Sequence, residues 1–495
     1  MSGPRSAKSR FAIIDIGSNS VRLVVYDIAA RAPVLVFNEK VLCGLGRNLT
    51  ATGKLDPEGI ERALMALRRF VALESHIGAN QWEVVATAAV RDAEDGDAFL
   101  AQAREVCRTE VRLLSGQEEA RLSAQGVISG VPNAKGVMGD LGGGSLELAQ
   151  IGGQAIGKTV TVPLGPLQLM RREDDARQYV DETLATVDWL SASPGESLYV
   201  VGGTWRNLAR IHMARANYPI RVLHHYTIPA REAAALAKVI EQLGAKSLSR
   251  IPDISERRIE ALPYGALVME RLLKKMPVKQ VVISAYGLRE GVLFDRLSDT
   301  EKAKDPLIEG CRGLGRRLAR FPETSAELKA WTDQLFSTGA LGETADEARL
   351  RAAACFLGDI GWYVHPDYRA QHSMEQILLA PLVGIDHPGR LFLARVGFHR
   401  HEGTGEPSSL FNVAAMVEEQ QNKRALILGL AFRLAYTFCA ATPGILPHTS
   451  LVMEKEKIIF NVPQQFEDLA GEVVRRRLGR LAKTLDLTPQ LVVGG

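Results

Sequence analysis

The feature that most constrains the fold is a short pattern that occurs twice, DIGSNSVRLVV from Asp15 and DLGGGSLELAQ from Asp140. In each copy an apolar run reaches an aspartate, small residues follow, and a second run leads away. Short apolar runs bounded by glycine and serine predict strand, tight turn and strand. A single copy would indicate only a hairpin turn. Two copies predict a duplicated unit with a cleft between its halves.

Strands and helices alternate around each copy of the pattern. FAIIDIG, VRLVVYD and VLVFNEKVLC are predicted strands, LDPEGIERALMALRRFVALESHIG and SGQEEARLSAQGVI are predicted helices, and WEVVATAAVRDA is a predicted strand followed by a polar turn. EKAKDPLIEG is predicted to be a linker. We expect a disordered tail at residues 1–10, α/β domains at 11–127 and 128–304, and a mainly α-helical domain at 305–495.

Composition excludes several classes of protein. The 495 residues carry a net charge of only +3, which argues against a nucleic-acid partner. Five scattered cysteines are typical of reduced thiols rather than of a disulfide framework or a zinc site. The sequence has no apolar run long enough to span a bilayer, and its opening residues, MSGPRSAKSR, lack the apolar core typical of a signal peptide. We expect a cytoplasmic protein without a membrane partner.

Both turns are suited to bind phosphate, because small residues let backbone N–H groups approach an anion closely. The candidates are Gly17, Ser18, Asn19 and Ser20 in the first turn and Gly142, Gly143, Gly144 and Ser145 in the second. An aspartate beside such a turn repels phosphate unless a cation lies between them, so Asp15 and Asp140 indicate Mg²⁺. Glu147 on the outgoing strand is a further candidate ligand. Arg22, its counterpart in the first copy, would offset substrate charge.

A second phosphate-binding pattern, GGQAIGKT from Gly152, matches the letters of a P-loop. A P-loop opens a helix whose N-terminus faces the phosphates. Here β-branched residues and prolines follow, which start a helix poorly. We therefore predict a hairpin turn without a phosphate site.

The chain resembles the exopolyphosphatase / guanosine pentaphosphate phosphohydrolase family, within the superfamily of actin, sugar kinases and heat-shock chaperone ATPases. Six segments carry the resemblance in family order: DIGSNSVRL, ATAAVRDA, LSGQEEARL, DLGGGSLEL, VVGGTWRNLA and SAYGLREGVL. The Asp-Gly turns alone indicate the superfamily, and QEEAR with SAYGLREG narrows it to the phosphohydrolases. The resemblance implies two actin-like (ribonuclease H-like) α/β domains that flank a cleft.

The resemblance also implies residue roles. Glu119 matches the catalytic base that activates water for in-line attack on a terminal phosphoryl group. Its neighbour Glu118 is the second choice, and helix capping by the pair is the non-catalytic alternative. Arg91 matches a basic position that grips the substrate phosphate. The acidic residues expected at metal and phosphate are Asp140, Glu147 and, as a third, Asp15. Residues 202–204 match a turn that holds adenosine in the ATPase relatives.

The resemblance implies that the C-terminal third is related to HD phosphohydrolases. Gly358 stands where a metal-binding histidine belongs in the His-Asp pair. Asp359, His365 and His372 remain, which is too few for a working metal centre. We expect no second hydrolytic centre there.

Two basic runs occupy the same third of the chain. They comprise Arg312, Arg316 and Arg320, predicted to share one helix face, and Arg475, Arg476, Arg477, Arg480 and Lys483. Such runs are usually solvated faces. The functional alternative is a positive track for a long phosphate polymer, whose affinity would fall with salt.

Together these features predict an exopolyphosphatase: Mg²⁺-dependent release of terminal orthophosphate from inorganic polyphosphate. One alternative is a guanosine pentaphosphate (pppGpp) 5′-phosphohydrolase that uses the same residues. Alternatives from other classes are an actin-like ATP-binding protein, against which Trp205 beside the Gly-rich turn argues, and a polyphosphate or alarmone sensor. The resemblance further implies a homodimer.

Overall fold

The computed structural model describes residues 10–28, 30–79, 81–172, 175–192, 197–243, 248, 259–336, 341–407, 416 and 418–494. The predicted disordered tail lies outside these residues, except for Arg10. The chain divides into two compact units, with the main boundary between Lys304 and Asp305 and residues 219–221 counted with the second unit. Within the described ranges, every helix is too short or too polar to cross a membrane.

The first sheet of the first unit has the strand order β3-β2-β1-β4-β5. Its strands are β1 (Phe11–Ile16), β2 (Ser20–Tyr26), β3 (Leu35–Leu42), β4 (Gln81–Ala86) and β5 (Val111–Leu113). β1 pairs antiparallel with β2 and parallel with β4. Consecutive residues of β1 from Phe11 to Ile14 are buried, which is why this strand reads as a continuous apolar run.

Five helices follow these strands: α1 (Leu49–Thr52), α2 (Pro57–Ile77), α3 (Ala88–Asp92), α4 (Gly96–Cys107) and α5 (Gly116–Gly130). The Asp-Pro signal starts α2 as predicted, with the Asp56 side chain accepting a hydrogen bond from the Gly59 N–H. The polar turn predicted after β4 is wrong. That segment forms α3, because its alanines favour a helical turn.

The second sheet has the order β10-β11-β9-β6-β7-β8. Its strands are β6 (Lys135–Leu141), β7 (Leu146–Gly152), β8 (Ala155–Val162), β9 (Ser197–Val201), β10 (Thr227–Pro229) and β11 (Gln280–Ile283). The P-loop-like letters lie on the β7–β8 hairpin, where Gly152 pairs with Ala155. The prediction of a hairpin turn is therefore confirmed.

The two copies of the sequence pattern fold alike. In β1–β2 Asp15 lies opposite Arg22, and in β6–β7 Asp140 lies opposite Glu147. The Gly17 N–H donates to the Ser20 carbonyl at 3.0 Å, and Gly142 donates to Ser145 at the same distance. The predicted duplication is present.

Further helices cover the second sheet: α6 (Pro166–Leu169), α7 (Ala176–Ala185), α8 (Trp189–Ala192), α9 (Gly203–Arg215), α10 (Ala230–Gln242), α11 (Leu262–Lys275), α12 (Leu288–Asp295) and α13 (Asp299–Lys302). Helices α5 and α12 touch through glycines. A Cβ at Gly126 would lie 2.0 Å from the Gly287 carbonyl oxygen, and one at Gly291 would lie 1.8 Å from that of Leu122. Only glycine permits this approach, which fixes α5 against α12.

The second unit is mainly helical. Its helices are α14 (Pro306–Leu318), α15 (Thr324–Phe336), α16 (Ala345–Leu357), α17 (Arg369–Leu379), α18 (His387–Glu402), α19 (Glu419–Cys439) and α20 (Glu472–Thr484). A small sheet, absent from the sequence prediction, joins β12 (Ser450–Glu454), β13 (Lys457–Val462) and β14 (Thr488–Val493) in that order.

Two local predictions for this part of the chain are wrong. The predicted linker EKAKDPLIEG is largely helical, since Asp305 caps α14 by accepting from the Leu307 N–H at 2.8 Å. Arg320 does not share a helix face with Arg312 and Arg316, because α14 ends at Leu318.

Candidate active site

A cavity of about 400 Å³ opens within the first unit where the two Asp-Gly turns meet. Most of the predicted site residues line it: Asp15, Gly17, Ser18, Asn19, Ser20, Glu119, Asp140, Gly142, Gly143, Ser145 and Glu147. The predicted residues that do not line it are Arg22, Arg91, Glu118 and Gly144. The adenosine-type turn at residues 202–204 also lies on its wall.

The two turns approach each other to van der Waals distance. A Cβ at Gly143 would lie 3.6 Å from the Ser18 Cβ, and one at Gly144 would lie 3.5 Å from the Ser18 Oγ. The backbone N–H groups of Ser18, Asn19, Gly143 and Gly144 donate to no group in the part of the chain that the structure describes. The turns therefore present free donors of the kind that bind phosphate.

The adjacent glutamates of QEEAR occupy different environments. Glu118 closes a capping box at the start of α5: its carboxylate accepts from the Ser115 N–H at 3.0 Å and from the Arg112 guanidinium at 3.1 Å. The hydrogen bonds from Ser115 lower the pKa of Glu118. Glu119 is buried and lines the cavity. Of the two, only Glu119 can reach a bound molecule there.

Glu119 has the electrostatics of a proton acceptor near neutral pH. Burial raises its pKa to about 7, and the nearby carboxylates of Asp140 and Asp15 add to this. Arg91 opposes the shift, because its Nη1 donates to the Glu119 Oε2 at 3.1 Å. Arg91 also donates to the Leu114 carbonyl and to Asp92. The donors of Arg91 are thus directed at protein groups, and the residue positions Glu119. Its predicted contact with the substrate phosphate stays a prediction.

Two further carboxyl groups share the cavity with Glu119. Burial raises the pKa of Asp140, although the Ser123 hydroxyl donates to its Oδ2 at 2.8 Å. Burial also raises the pKa of Glu147 well above its usual value, and the Glu147 Oε1 has no hydrogen-bond partner within the described ranges. Several buried carboxyls with few donors are typical of a functional site.

Sequence reasoning missed the basic residues of the cavity: Lys40, Arg47, Arg206 and Arg289. The Arg289 Nη1 donates to the Asp15 Oδ2 at 2.8 Å. Burial lowers the pKa of Arg206 to about 10. Arg22, the predicted substrate cation, instead donates its Nε to the Asn38 side chain. Arg206 and Arg289 lie inside VVGGTWRNLA and SAYGLREGVL, two of the segments that carry the family resemblance. That position was the sequence signal by which they could have been found.

Trp205 does not face the cavity. It is fully buried, and its indole N–H donates to the Gly265 carbonyl at 2.8 Å. The argument from this residue against a bound adenine is therefore wrong.

Comparisons with known proteins identify the family models and relatives that this chain matches. Residues 24–300 match the family model described as the Ppx/GppA phosphatase family, and residues 307–492 match that described as the exopolyphosphatase C-terminal domain. Exopolyphosphatase 1 of Mycobacterium tuberculosis and that of Mycobacterium bovis are each 27% identical over 316 residues, which cover 61% of this chain and 91% of the relative.

Two solved structures share the fold of more than half of this chain. An exopolyphosphatase from Cytophaga hutchinsonii has a TM-score of 0.54 at 24% identity, covering 58% of this chain and 96% of its own. An Aquifex aeolicus member of the Ppx/GppA family has a TM-score of 0.51 at 23% identity, covering 58% and 99%.

Paired Asp-Gly turns with a buried carboxylate between them define an actin-like enzyme fold whose cleft is built for phosphate chemistry. The chain belongs to the Ppx/GppA phosphatase family. It is a hydrolase that acts on phosphoric anhydride bonds.

Proposed function

We propose that this enzyme is an exopolyphosphatase that releases terminal orthophosphate from inorganic polyphosphate, with Glu119 as the base. The observation that carries the proposal is the contrast within QEEAR: Glu119 is buried in the cavity with a pKa of about 7, whereas Glu118 caps its own helix. A base with a pKa near the working pH is half ionised there and accepts a proton readily.

The proposed step is in-line hydrolysis. Glu119 takes a proton from water as the water oxygen bonds to the terminal phosphorus, and the bridging P–O bond breaks. The shortened chain leaves with the electrons of that bond, and orthophosphate is the second product. Free N–H groups at Ser18, Asn19, Gly143 and Gly144 would hold phosphoryl oxygens in place.

The residues also fit a divalent cation such as Mg²⁺. The described residues hold no ready-made group of three acidic, histidine or cysteine ligands. Mg²⁺ usually binds through one or two carboxylates, with substrate phosphate and water completing its shell. Asp140 and the unpartnered Glu147 Oε1 would supply those carboxylates, while Asp15 is engaged by Arg289. When bound, the ion would neutralise charge on the phosphoryl oxygens.

The choice of the polymer over guanosine pentaphosphate is supported by the match of residues 307–492 to the exopolyphosphatase C-terminal model and by the names of the relatives. The alternative nucleotide substrate is supported by the cavity wall at residues 202–204, beside Arg206. Both substrates present a terminal phosphoryl group to the same carboxylates.

The test is steady-state phosphate release from long-chain polyphosphate and from guanosine pentaphosphate by the same preparation, with and without Mg²⁺. We expect kcat/KM to be at least tenfold higher for the polymer and activity to be lost on chelation. A strong preference for the nucleotide would overturn the substrate assignment. Full activity after exhaustive chelation would overturn the proposal that hydrolysis needs a divalent cation.

A further inference from the structure

The second unit contains a cavity of its own, of about 330 Å³, which shares no lining residue with the cleft of the first unit. Ligand pockets span roughly 300–1,000 Å³, so this volume suits a small molecule. Most of its wall is apolar or aromatic: Ala319, Phe321, Pro322, Ala326, Cys355, Phe356 and Tyr436. Phe321 is 44% exposed and leaves a large apolar ring at the rim.

Asp359 is the buried polar group of the wall and is 3% exposed. Its two oxygens accept from the Arg320 guanidinium at 2.7 and 2.9 Å, and Oδ1 lies 3.4 Å from the Arg400 Nη2. Two guanidinium groups share one carboxylate, which leaves a positive charge in a buried place. Arg400 also lies 4.4 Å from the centre of the Tyr436 ring.

A metal ion does not suit this cavity. Both oxygens of Asp359 are already engaged by arginines, and a Cβ at Gly358 would lie 2.9 Å from the Tyr436 Oη, so no larger ligand fits there. His401 donates nothing to the cavity; burial lowers its pKa to about 3, and its Nε2 lies 3.0 Å from the Ile360 carbonyl. The positive charge left by two arginines that share Asp359 favours an anion instead.

Two arginines on α14, Arg312 and Arg316, line the cavity. Arg312 pairs with Glu309 and lies 5.0 Å from the centre of the Phe356 ring. Arg316 is exposed and forms no ion pair with any residue that the structure describes. The one acidic group on the wall without such a partner is the exposed Glu323. On the wall itself Arg312 and Arg316 accompany the carboxylates Asp359 and Glu323, and the surplus positive charge comes from Arg320 and Arg400, which do not line the cavity but both pair with Asp359.

We propose that this cavity binds a planar aromatic ring that carries a phosphate, the chemistry of a nucleoside monophosphate. The ring would pack against Phe356 and Tyr436, and the phosphate would pair with Arg316. A bare phosphate chain has no apolar surface to bury against this wall, which argues against the polymer as occupant. The site is independent of the proposed hydrolysis, since it shares no residue with the cleft.

The experiment is isothermal titration calorimetry of the full chain with guanosine and adenosine monophosphates, which lack the anhydride bond. Ribose 5-phosphate and guanosine test the phosphate and the ring alone. We expect one monophosphate per chain, with a Kd below about 1 mM, and weaker binding of either half. Arg316→Glu should weaken binding at least tenfold, and Ala326→Trp should abolish it by filling the cavity.

Matched controls lie on the same helices. Arg317→Glu and Ala330→Trp change exposed neighbours that do not line the cavity, and both should bind within twofold of the unaltered chain. The proposal is overturned if neither monophosphate binds at about 5 mM, if Arg316→Glu and Ala326→Trp bind normally, or if Arg289→Ala in the cleft removes the binding. Polyphosphate hydrolysis without nucleotide should stay unchanged in Ala326→Trp. A failure of the hydrolysis itself would count against the proposed function alone.

Discussion

Buried carboxylates have opposite surroundings in the two units: few hydrogen-bond donors in the first and a full set in the second. In the cleft Glu119, Asp140 and Glu147 lie together with few donors, and burial raises the pKa of each. In the second unit Asp359 is equally buried but is saturated by Arg320 and Arg400. A carboxylate left short of donors is available to a proton, a cation or a substrate. One that is fully paired holds the structure together.

The largest expected effect is on catalysis in the cleft. Glu147→Gln should lower kcat/KM for polyphosphate about 100- to 1,000-fold, because it removes a charge from the proposed cation site while keeping the shape. Phosphate release at saturating Mg²⁺ measures it. Glu182→Gln, an exposed change on α7, is the control and should be silent. Normal kinetics of Glu147→Gln would place the cation elsewhere.

The corresponding change in the second unit should act on stability. Asp359→Asn leaves Arg320 and Arg400 buried without a counter-charge, which typically costs about 3–5 kcal/mol. Amide hydrogen exchange in α16 and α18 should speed up accordingly, while phosphate release per folded molecule stays near normal. Unchanged exchange would show that Asp359 is not the structural counter-ion described above.

Glu119→Gln should stabilise the free protein in a pH-dependent way. The folded pKa of Glu119, about 7, exceeds its ordinary value of 4.5, so its favourable contribution is complete below about pH 4.5 and is lost as pH rises through 7. The variant should therefore match the unaltered chain at pH 4.5 and exceed it by about 2–3 kcal/mol at pH 8. Urea unfolding at the two pH values gives the difference; a pH-independent difference would contradict the assignment.

Glu118 should affect the pH dependence of stability in the opposite direction. Its folded pKa is lowered, so its contribution is present at neutral pH and is lost as the solution is acidified. Glu118→Gln keeps a side chain that can cap the helix but removes its charge beside the helix N-terminus and Arg112, so it should be less stable by about 0.3–1 kcal/mol at pH 7. Greater stability of this variant at pH 7 would show that the charge of Glu118 does not stabilise the start of α5.

Arg91→Met tests how far Arg91 lowers the pKa of Glu119. Because Arg91 lowers the pKa of Glu119 by its charge and its hydrogen bond, its loss should move the acidic limb of the kcat/KM profile to higher pH. Activity at pH 6.5 should fall about tenfold and recover in part at pH 9. A uniform loss at all pH values would instead favour contact between Arg91 and substrate.

Local patterns were enough to predict much of this architecture. The hairpins, the facing of Asp140 and Glu147, and the start of α2 follow from apolar runs and capping residues within a few positions. Even the choice between the adjacent glutamates had a local signal, because S-x-x-E from Ser115 to Glu118 is a capping box that leaves Glu119 free to face inward.

What escaped prediction depends on contacts across the chain. The pair of Arg289 and Asp15 joins residues 274 positions apart, and no local pattern reports such a partner. Arg22 mirrors Glu147 in the repeat, yet it bonds to Asn38 because a third strand runs beside β2 in the first sheet. The small C-terminal sheet was missed because its three strands are short, α20 separates β14 from β12 and β13, and all three lie within a helix-rich region.

The most direct test of the central claim is the rate of phosphate release from long-chain polyphosphate by Glu119→Gln beside Glu118→Gln, at saturating substrate and Mg²⁺. We expect Glu119→Gln to lose about 1,000-fold in kcat while it still binds the polymer, and Glu118→Gln to stay within about threefold of the unaltered enzyme. Near-normal turnover by Glu119→Gln, with activity lost in Glu118→Gln, would contradict the account.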